Sequence, residues 1–235
     1  MGQGNATESK GLKAPAYYRQ EAWDKFARWY DPLVKLVLLP FGGEGRLRRK
    51  FVDFAAPKRG EQMLDVCSGT GTLASVIAER VGGDGKVIGV DLSLGMIRVA
   101  QKKVKSSVTR FQSANSESLP FPSSIFHSAF ISFGLHEMPE SARQNTLREI
   151  HRTLKPGGYL FVLDYHLPRG GVARFIIKAL VRLLEEDFTY KMLLEESLTV
   201  EVKQAGFVIE RRELISAGAI QMIRARKISE EGAIG

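Results

Sequence analysis

The chain has 235 residues, with 44% hydrophobic and 26% charged residues and a formal net charge of +8. That length fits one sizeable domain with accessory elements, and the composition is that of an ordinary soluble globular protein. A single cysteine, Cys67, excludes an internal disulfide and a cysteine-built zinc site, and it suits a reducing compartment.

Residues 1–15 are polar and Gly-containing and read as a disordered tail. Residues 16–60 read as a helical cap. Over 17–39, Trp23, Phe26, Ala27 and Tyr30 recur every three or four residues, and Pro32 and Pro40 punctuate the segment. A second helix is expected over 45–56, with Leu47, Phe51 and Phe54 as its buried stripe. From residue 61 strands alternate with helices. Strands are expected at Met63–Val66, Val87–Val90, Val108–Gln112, Ile125–Phe133 and Gly158–Asp164. The helices between them are Leu73–Val81, Leu94–Lys105 and Ala142–Leu154. Lys155-Pro156-Gly157-Gly158 reads as a stop before the fifth strand. Short apolar strands separated by helices imply an α/β fold with a parallel sheet covered on both faces. Further along, 172–184 is an amphipathic helical stretch and Val200–Ala205 another helix. Phe207–Leu214 and Ile220–Lys227 read as two strands at the sheet edge, and 228–235 is a tail.

The chemistry begins at Leu64-Asp65-Val66-Cys67-Ser68-Gly69-Thr70-Gly71, which runs from a strand through a tight turn into a helix. Glycines 69 and 71 let backbone approach a ligand closely. Alone, Gly69-x-Gly71-x-x-Ala74 fits NAD, FAD or S-adenosylmethionine (SAM). The sign of the neighbouring charge separates these. Beside a diphosphate, the Asp65 carboxylate would be repelled by on the order of several kcal/mol. SAM carries an ammonium and a sulfonium, so the same carboxylate favours it. Asp91 ends the next apolar run, twenty-two residues after Gly69, where an acid accepts hydrogen bonds from ribose hydroxyls.

On these residues the chain resembles the class I SAM-dependent methyltransferases. Within them it is similar to the ubiquinone/menaquinone biosynthesis C-methyltransferase (UbiE/MenG-like) group, over about residues 22–226. The segment from Leu64 to Gly71, with Ser68 and Thr70, matches the first motif. Val90-Asp91-Leu92-Ser93-Leu94-Gly95-Met96 matches the acidic strand end, with Met96 against the adenine. Asn115-Ser116-Glu117-Ser118-Leu119-Pro120-Phe121 matches the loop that contacts the adenine. Phe133-Gly134-Leu135-His136 matches the segment near the methyl group. Phe26, Ala27, Tyr30 and Asp31 resemble the region that lies over the cofactor. Where the quinone enzymes show Arg-Asn after Phe-Gly-Leu, this chain has His136-Glu137. The resemblance implies a Rossmann-like, seven-stranded, mostly parallel sheet with an antiparallel last strand, Ile220–Lys227. It places the SAM-binding domain over 61–227 and a substrate lid over 165–200.

Methyl transfer needs a base only if the nucleophile must lose a proton; His136 and then His166 are the candidates. No metal site is expected. The acceptor expected from the resemblance is an apolar small molecule, by preference a quinone precursor. A phospholipid headgroup or another natural product is the alternative, followed by a SAM-binding module without activity and a nicotinamide oxidoreductase. Residues 1–61 hold twelve Lys/Arg against seven Asp/Glu, densest at Arg46, Arg48, Arg49 and Lys50. This cluster reads either as a solvated helix face or as a surface for anionic lipid or an acidic partner, and the 172–184 stretch reads as a site for an apolar substrate tail or a membrane surface, or as a helix that covers the sheet or forms a lid. No nucleic-acid module accompanies the charge. The N-terminus lacks the apolar core of a signal peptide, and no run reaches the roughly 18 apolar residues of a membrane span. A cytoplasmic protein, with peripheral membrane contact as a second reading, is expected.

Overall fold

A computed structural model describes residues 14–39, 42–168, 170–171, 174–175, 178, 182 and 187–228. The expected tails, and most of the 172–184 helix, lie outside the described residues. The strands are β1 (Gln62–Val66), β2 (Lys86–Asp91), β3 (Thr109–Ser113), β4 (Phe126–Ser132), β5 (Leu154–Tyr165), β6 (Phe207–Ile215) and β7 (Ile220–Lys227). The helices are α1 (Gln20–Leu38), α2 (Glu44–Ala55), α3 (Thr72–Val81), α4 (Leu94–Lys103), α5 (Glu140–Thr153), α6 (Asp187–Glu195) and α7 (Leu198–Gln204).

Seven strands form one sheet in the order β3-β2-β1-β4-β5-β7-β6. All pairings from β3 to β5 are parallel, and β7 runs antiparallel to both of its neighbours. Strand alternation divides the core. Leu64, Val66, Ile88, Val90, Ile131 and Val162 point to the face covered by α5 and α7, through Leu147, Ile150, Leu198 and Val202. Met63, Val87, Phe130, Phe161 and Leu163 point to the other face, where α2 and α3 supply Phe51, Phe54, Ala74 and Ile77. Phe130 stacks on Phe161 and meets Phe51 edge-on. Because β2 and β4 lie on opposite sides of β1, the order in which strands are added reverses there. The crevice outside the carboxyl ends of such strands is where α/β sheets hold ligands.

α1 closes that crevice. Two carboxylates, seven residues apart on one face, tie it to α4. Asp24 Oδ1 accepts from Gly95 N (2.8 Å) and Ser93 Oγ (2.5 Å), at the N-terminus of α4. Asp31 Oδ2 accepts from Lys103 Nζ (2.7 Å), in the last turn of α4. The Asp24 carboxylate is favourable at the N-terminus of α4, and the Lys103 ammonium is favourable at its C-terminus, where Asp31 pairs with it. The backbones touch at Gly95, where an added Cβ would stand 2.6 Å from Asp24 Cα. Lys103 Nζ also donates to Thr70 Oγ1 (2.8 Å) and Thr72 Oγ1 (2.9 Å), so one ammonium joins α1, α4 and the turn after β1.

The helix expected over 17–39 is continuous across Pro32, which sits inside α1. Pro32 and Arg28 both face solvent, so water can serve the backbone carbonyl that the proline leaves unbonded. Lys155-Pro156-Gly157-Gly158 is not a stop before β5 but an irregularity within it. Leu154 already pairs with Phe126, and the register shifts before Ser128 meets Tyr159. Gly157 takes φ +73°, which suits glycine. Among the described residues, no helix is long and apolar enough to cross a membrane.

Asp24→Ala should lower the unfolding free energy by about 1 kcal/mol, the usual loss for a removed helix-terminal acceptor. It should also speed proteolysis within α1. Chemical denaturation and limited proteolysis measure both; unchanged values would show that the contact does not hold the helix.

Candidate functional site

A cavity opens at the carboxyl ends of β1, β2 and β4, under α1. The expected residues Tyr30, Gly69, Asp91, Leu92, Met96, Asn115, Ser116 and Phe133 all line it.

Strand ends and their turns set this geometry. Cys67 and Phe133 follow β1 and β4 directly, and both adopt positive φ (55° and 53°) without being glycine. Such strained turns cluster at functional sites. Asp91, at the end of β2, is bound from two directions: Oδ2 accepts from Gly69 N (2.9 Å) and Oδ1 from Ser93 N (2.9 Å). One carboxylate thereby positions the glycine turn and the start of α4. Burial raises its pKa to about 6, against the lowering effect of those two donors. Asn115 Oδ1 accepts from Glu117 N (2.9 Å), which fixes the loop after β3.

A smaller chamber of roughly 300 Å³ adjoins the cavity and shares Tyr30, Cys67, Gly69 and Ser132 with it. Asp65, Ser68 and Thr70 line this chamber and not the main cavity. Asp65 was expected at the pocket mouth, but its side chain is only 1% exposed. The reason is strand alternation: Asp65 shares a face with Met63, so it points beneath α2. There it meets Arg48 and Glu44. Burial raises the Asp65 pKa to about 7, and the Arg48 charge opposes this. The wall is therefore of mixed sign, not simply negative as expected.

Arg48 carries the second correction. Its neighbours Arg46, Arg49 and Lys50 are exposed, but Arg48 itself is buried and does not belong to a basic surface. Its guanidinium donates to Ser132 Oγ, and Nε stands 3.7 Å from Glu44 Oε1. Asp65 Oδ2, Ser68 Oγ and Arg48 Nε are buried without a hydrogen-bond partner. A bare acceptor and a bare donor around one chamber fit a group that carries both an ammonium and a carboxylate.

Gly71 lines neither space. It caps α3 at φ +78°, and a Cβ there would stand 2.6 Å from the Phe111 ring, so its role is close packing. His136 is buried behind the cavity. Its Nδ1 lies 2.7 Å from Asp164 Oδ1, while Asp164 Oδ2 accepts from Leu135 N (3.2 Å) and His136 N (3.3 Å). Thr189 Oγ1 of α6 donates to His136 O (2.5 Å), which ties part of the expected lid to the site. Glu137, 3.9 Å from His136 Nε2, does line the cavity. His166 Nδ1 is held against Gly218 O (2.6 Å), and the residue does not line the cavity.

Sequence reading missed Tyr17, Tyr18, Trp23, Ser132 and Met138 on the cavity wall, and Arg48 and Asp164 behind it. Burial holds the phenols of Tyr17, Tyr18 and Tyr30 above their ordinary range, so they act as neutral groups. Among the described residues, no group of three or more His, Cys, Asp or Glu could hold a metal ion.

Residues 12–179 match the ubiE/COQ5 methyltransferase family. The chain is 32% identical over 215 residues to the demethylmenaquinone methyltransferase of Thermus thermophilus, covering 83% of this chain and 95% of that protein. It is 35% identical over 135 residues to the ubiquinone/menaquinone biosynthesis C-methyltransferase UbiE of Escherichia fergusonii, covering 56% of this chain. There it spans only about half, 53%, of the relative's length. A SAM-dependent methyltransferase structure from Aquifex aeolicus shares the fold, with a TM-score of 0.64 at 20% identity over 87% of this chain and 98% of that one.

Asp65 and Asp91 make the ligand-free fold pH-dependent. A carboxyl whose pKa is raised in the folded state stabilises below its ordinary value, and this contribution is lost as pH rises through the raised value. The ligand-free protein should thus lose stability as pH rises through about 6 and about 7. Asp65→Asn should remove the upper step. Tm measured from about pH 5 to about pH 8 tests this, and identical profiles for the two proteins would contradict the assignment.

Proposed function

Because the chain belongs to the ubiE/COQ5 methyltransferase family, we propose that it transfers a methyl group from SAM to an apolar small molecule, a quinone precursor by preference. The observation that carries this reading is Asp91, a desolvated carboxylate at the wall of the large cavity, fixed by Gly69 and Ser93. When bound, SAM supplies a methyl group already activated on a sulfonium, for in-line displacement.

The residues divide the work. Asp91 would accept the ribose hydroxyls, since each of its oxygens has a lone pair beyond the backbone bond it makes. Met96, Leu92, Asn115 and Ser116 would hold the base. Asp65 and Arg48 would hold the ammonium and carboxylate of the amino-acid end, through the buried atoms that have no hydrogen-bond partner. Tyr17, Tyr18, Trp23, Phe133 and Met138 give the rest of the wall a largely aromatic and apolar surface, suited to a ring substrate. Alignment and exclusion of water then supply much of the rate.

A phenolic acceptor becomes a better carbon nucleophile when it loses its proton. In this reading His136 takes that proton. Asp164 accepts from Nδ1 and so leaves Nε2 as the basic nitrogen, beside Glu137. Glu137 links the buried ring to the cavity. His166 stands further back, held by Gly218 O.

The chain should move label from methyl-labelled SAM to a demethylated quinol in detergent. Label that never leaves SAM, with quinols or with cell lipid extract, would reject the reading even if SAM binds. Asp91→Ala should weaken SAM binding by about tenfold or more in calorimetry, the loss of a buried charged acceptor. His136→Gln should lower kcat by about 10²-fold or more with the SAM Kd unchanged. Parallel losses in kcat and Kd would instead make His136 a structural residue.

A further inference from the structure

α1 has two functional faces, and only one faces the cavity. Ala27 and Leu38 are buried, and Trp23 and Tyr30 line the cavity. On the opposite side stand Trp29 (64% exposed), Leu36 (68%), Leu33 and Val37, with Leu39 (67%) just beyond the helix. The spacing 29, 33, 36, 37 places four large apolar side chains on one helical stripe. Singly exposed apolar residues are ordinary, but a contiguous stripe of this kind marks a contact surface.

Charge identifies what covers it. Lys25, Arg28 and Lys35 are exposed along one edge of the stripe. The acids of α1 do not offset them there. Asp24 and Asp31 are turned toward α4 and engaged with it. Glu21 alone lies outward, 3.9 Å from Lys25. The outward side is thus apolar with a basic border, in a chain of net charge +8. A second copy placed on the same patch would bring like charges together. An anionic lipid surface complements both features: the apolar stripe enters the acyl boundary, the basic edge meets the headgroups, and Trp29 suits the interface between them.

We propose that α1 docks flat on an anionic bilayer through Trp29, Leu33, Leu36 and Val37, so that the helix roofing the cavity is also the membrane contact. An apolar acceptor dissolved in the bilayer then enters the cavity past Trp23 and Tyr30 without crossing water. The proposal draws on the reading of an apolar acceptor, but it is tested apart from it.

The test is co-sedimentation of the full chain with phosphatidylcholine vesicles, with and without phosphatidylglycerol. Binding should require phosphatidylglycerol and weaken with added salt. The double variant W29E/L36E should bind these vesicles about tenfold more weakly or worse, with SAM binding by calorimetry unchanged. The triple variant K25E/R28E/K35E should lose the preference for phosphatidylglycerol. Failure of the wild-type chain to sediment, or undiminished binding by W29E/L36E, would overturn the proposal. So would light scattering that shows a wild-type dimer which W29E/L36E splits. Vesicle binding without label transfer to any acceptor would leave the docking surface standing and remove the proposed activity instead.

Discussion

The attachment of α1 to α4 is the contact on which the site depends. The sheet by itself supplies only a crevice outside β1, β2 and β4. It becomes an enclosed cavity because Asp24 and Asp31 hold α1 against the two ends of α4. Each acid meets a favourable partner, backbone and hydroxyl donors at one end and an ammonium at the other. Lys103 extends the contact to Thr70 and Thr72, so the position of α1 is coupled to the glycine turn. Trp23 and Tyr30 reach the cavity from this one anchored helix.

The electrostatics of the site follow from burial more than from the number of charges. Asp91 and Asp65 both lie where desolvation outweighs their stabilising partners, so both hold their protons to higher pH than an ordinary carboxyl. They differ in what surrounds them. Asp91 has two backbone donors and faces the large cavity. Asp65 shares a small chamber with Arg48, and both retain a buried atom with no hydrogen-bond partner. Unpartnered polar atoms cost stability in a folded chain. The two spaces are thereby distinct in chemistry: one is broad and aromatic, the other narrow and zwitterionic in character.

The same anchoring gives α1 its outward apolar face. A helix free to rotate would bury Trp29 and Leu36 against the body of the protein. Held by Asp24 and Asp31, α1 presents them to solvent and keeps its basic residues at their border. Geometry inside the cavity and the character of the outer surface are set by the same two carboxylates.

The strand–helix alternation, the glycine turn after β1 and the acid at the end of β2 were legible in the sequence, because each is a local pattern with a local physical cause. Parallel strands need near-continuous apolar runs, tight turns need glycine, and ribose recognition needs an acid at a strand end. Most of the residues expected on the cavity wall followed from these. Arg48, Asp164, Trp23 and Tyr17 did not, because each reaches the site from an element distant in the chain, and no local pattern marks such a side chain. Asp65 was singled out in the sequence, but strand alternation turned it beneath α2, beside an arginine that sequence alone assigned to the surface. Chain order determined the sheet and its turns. Only tertiary packing decided which charges are desolvated, because burial depends on what the rest of the fold brings to lie over each residue.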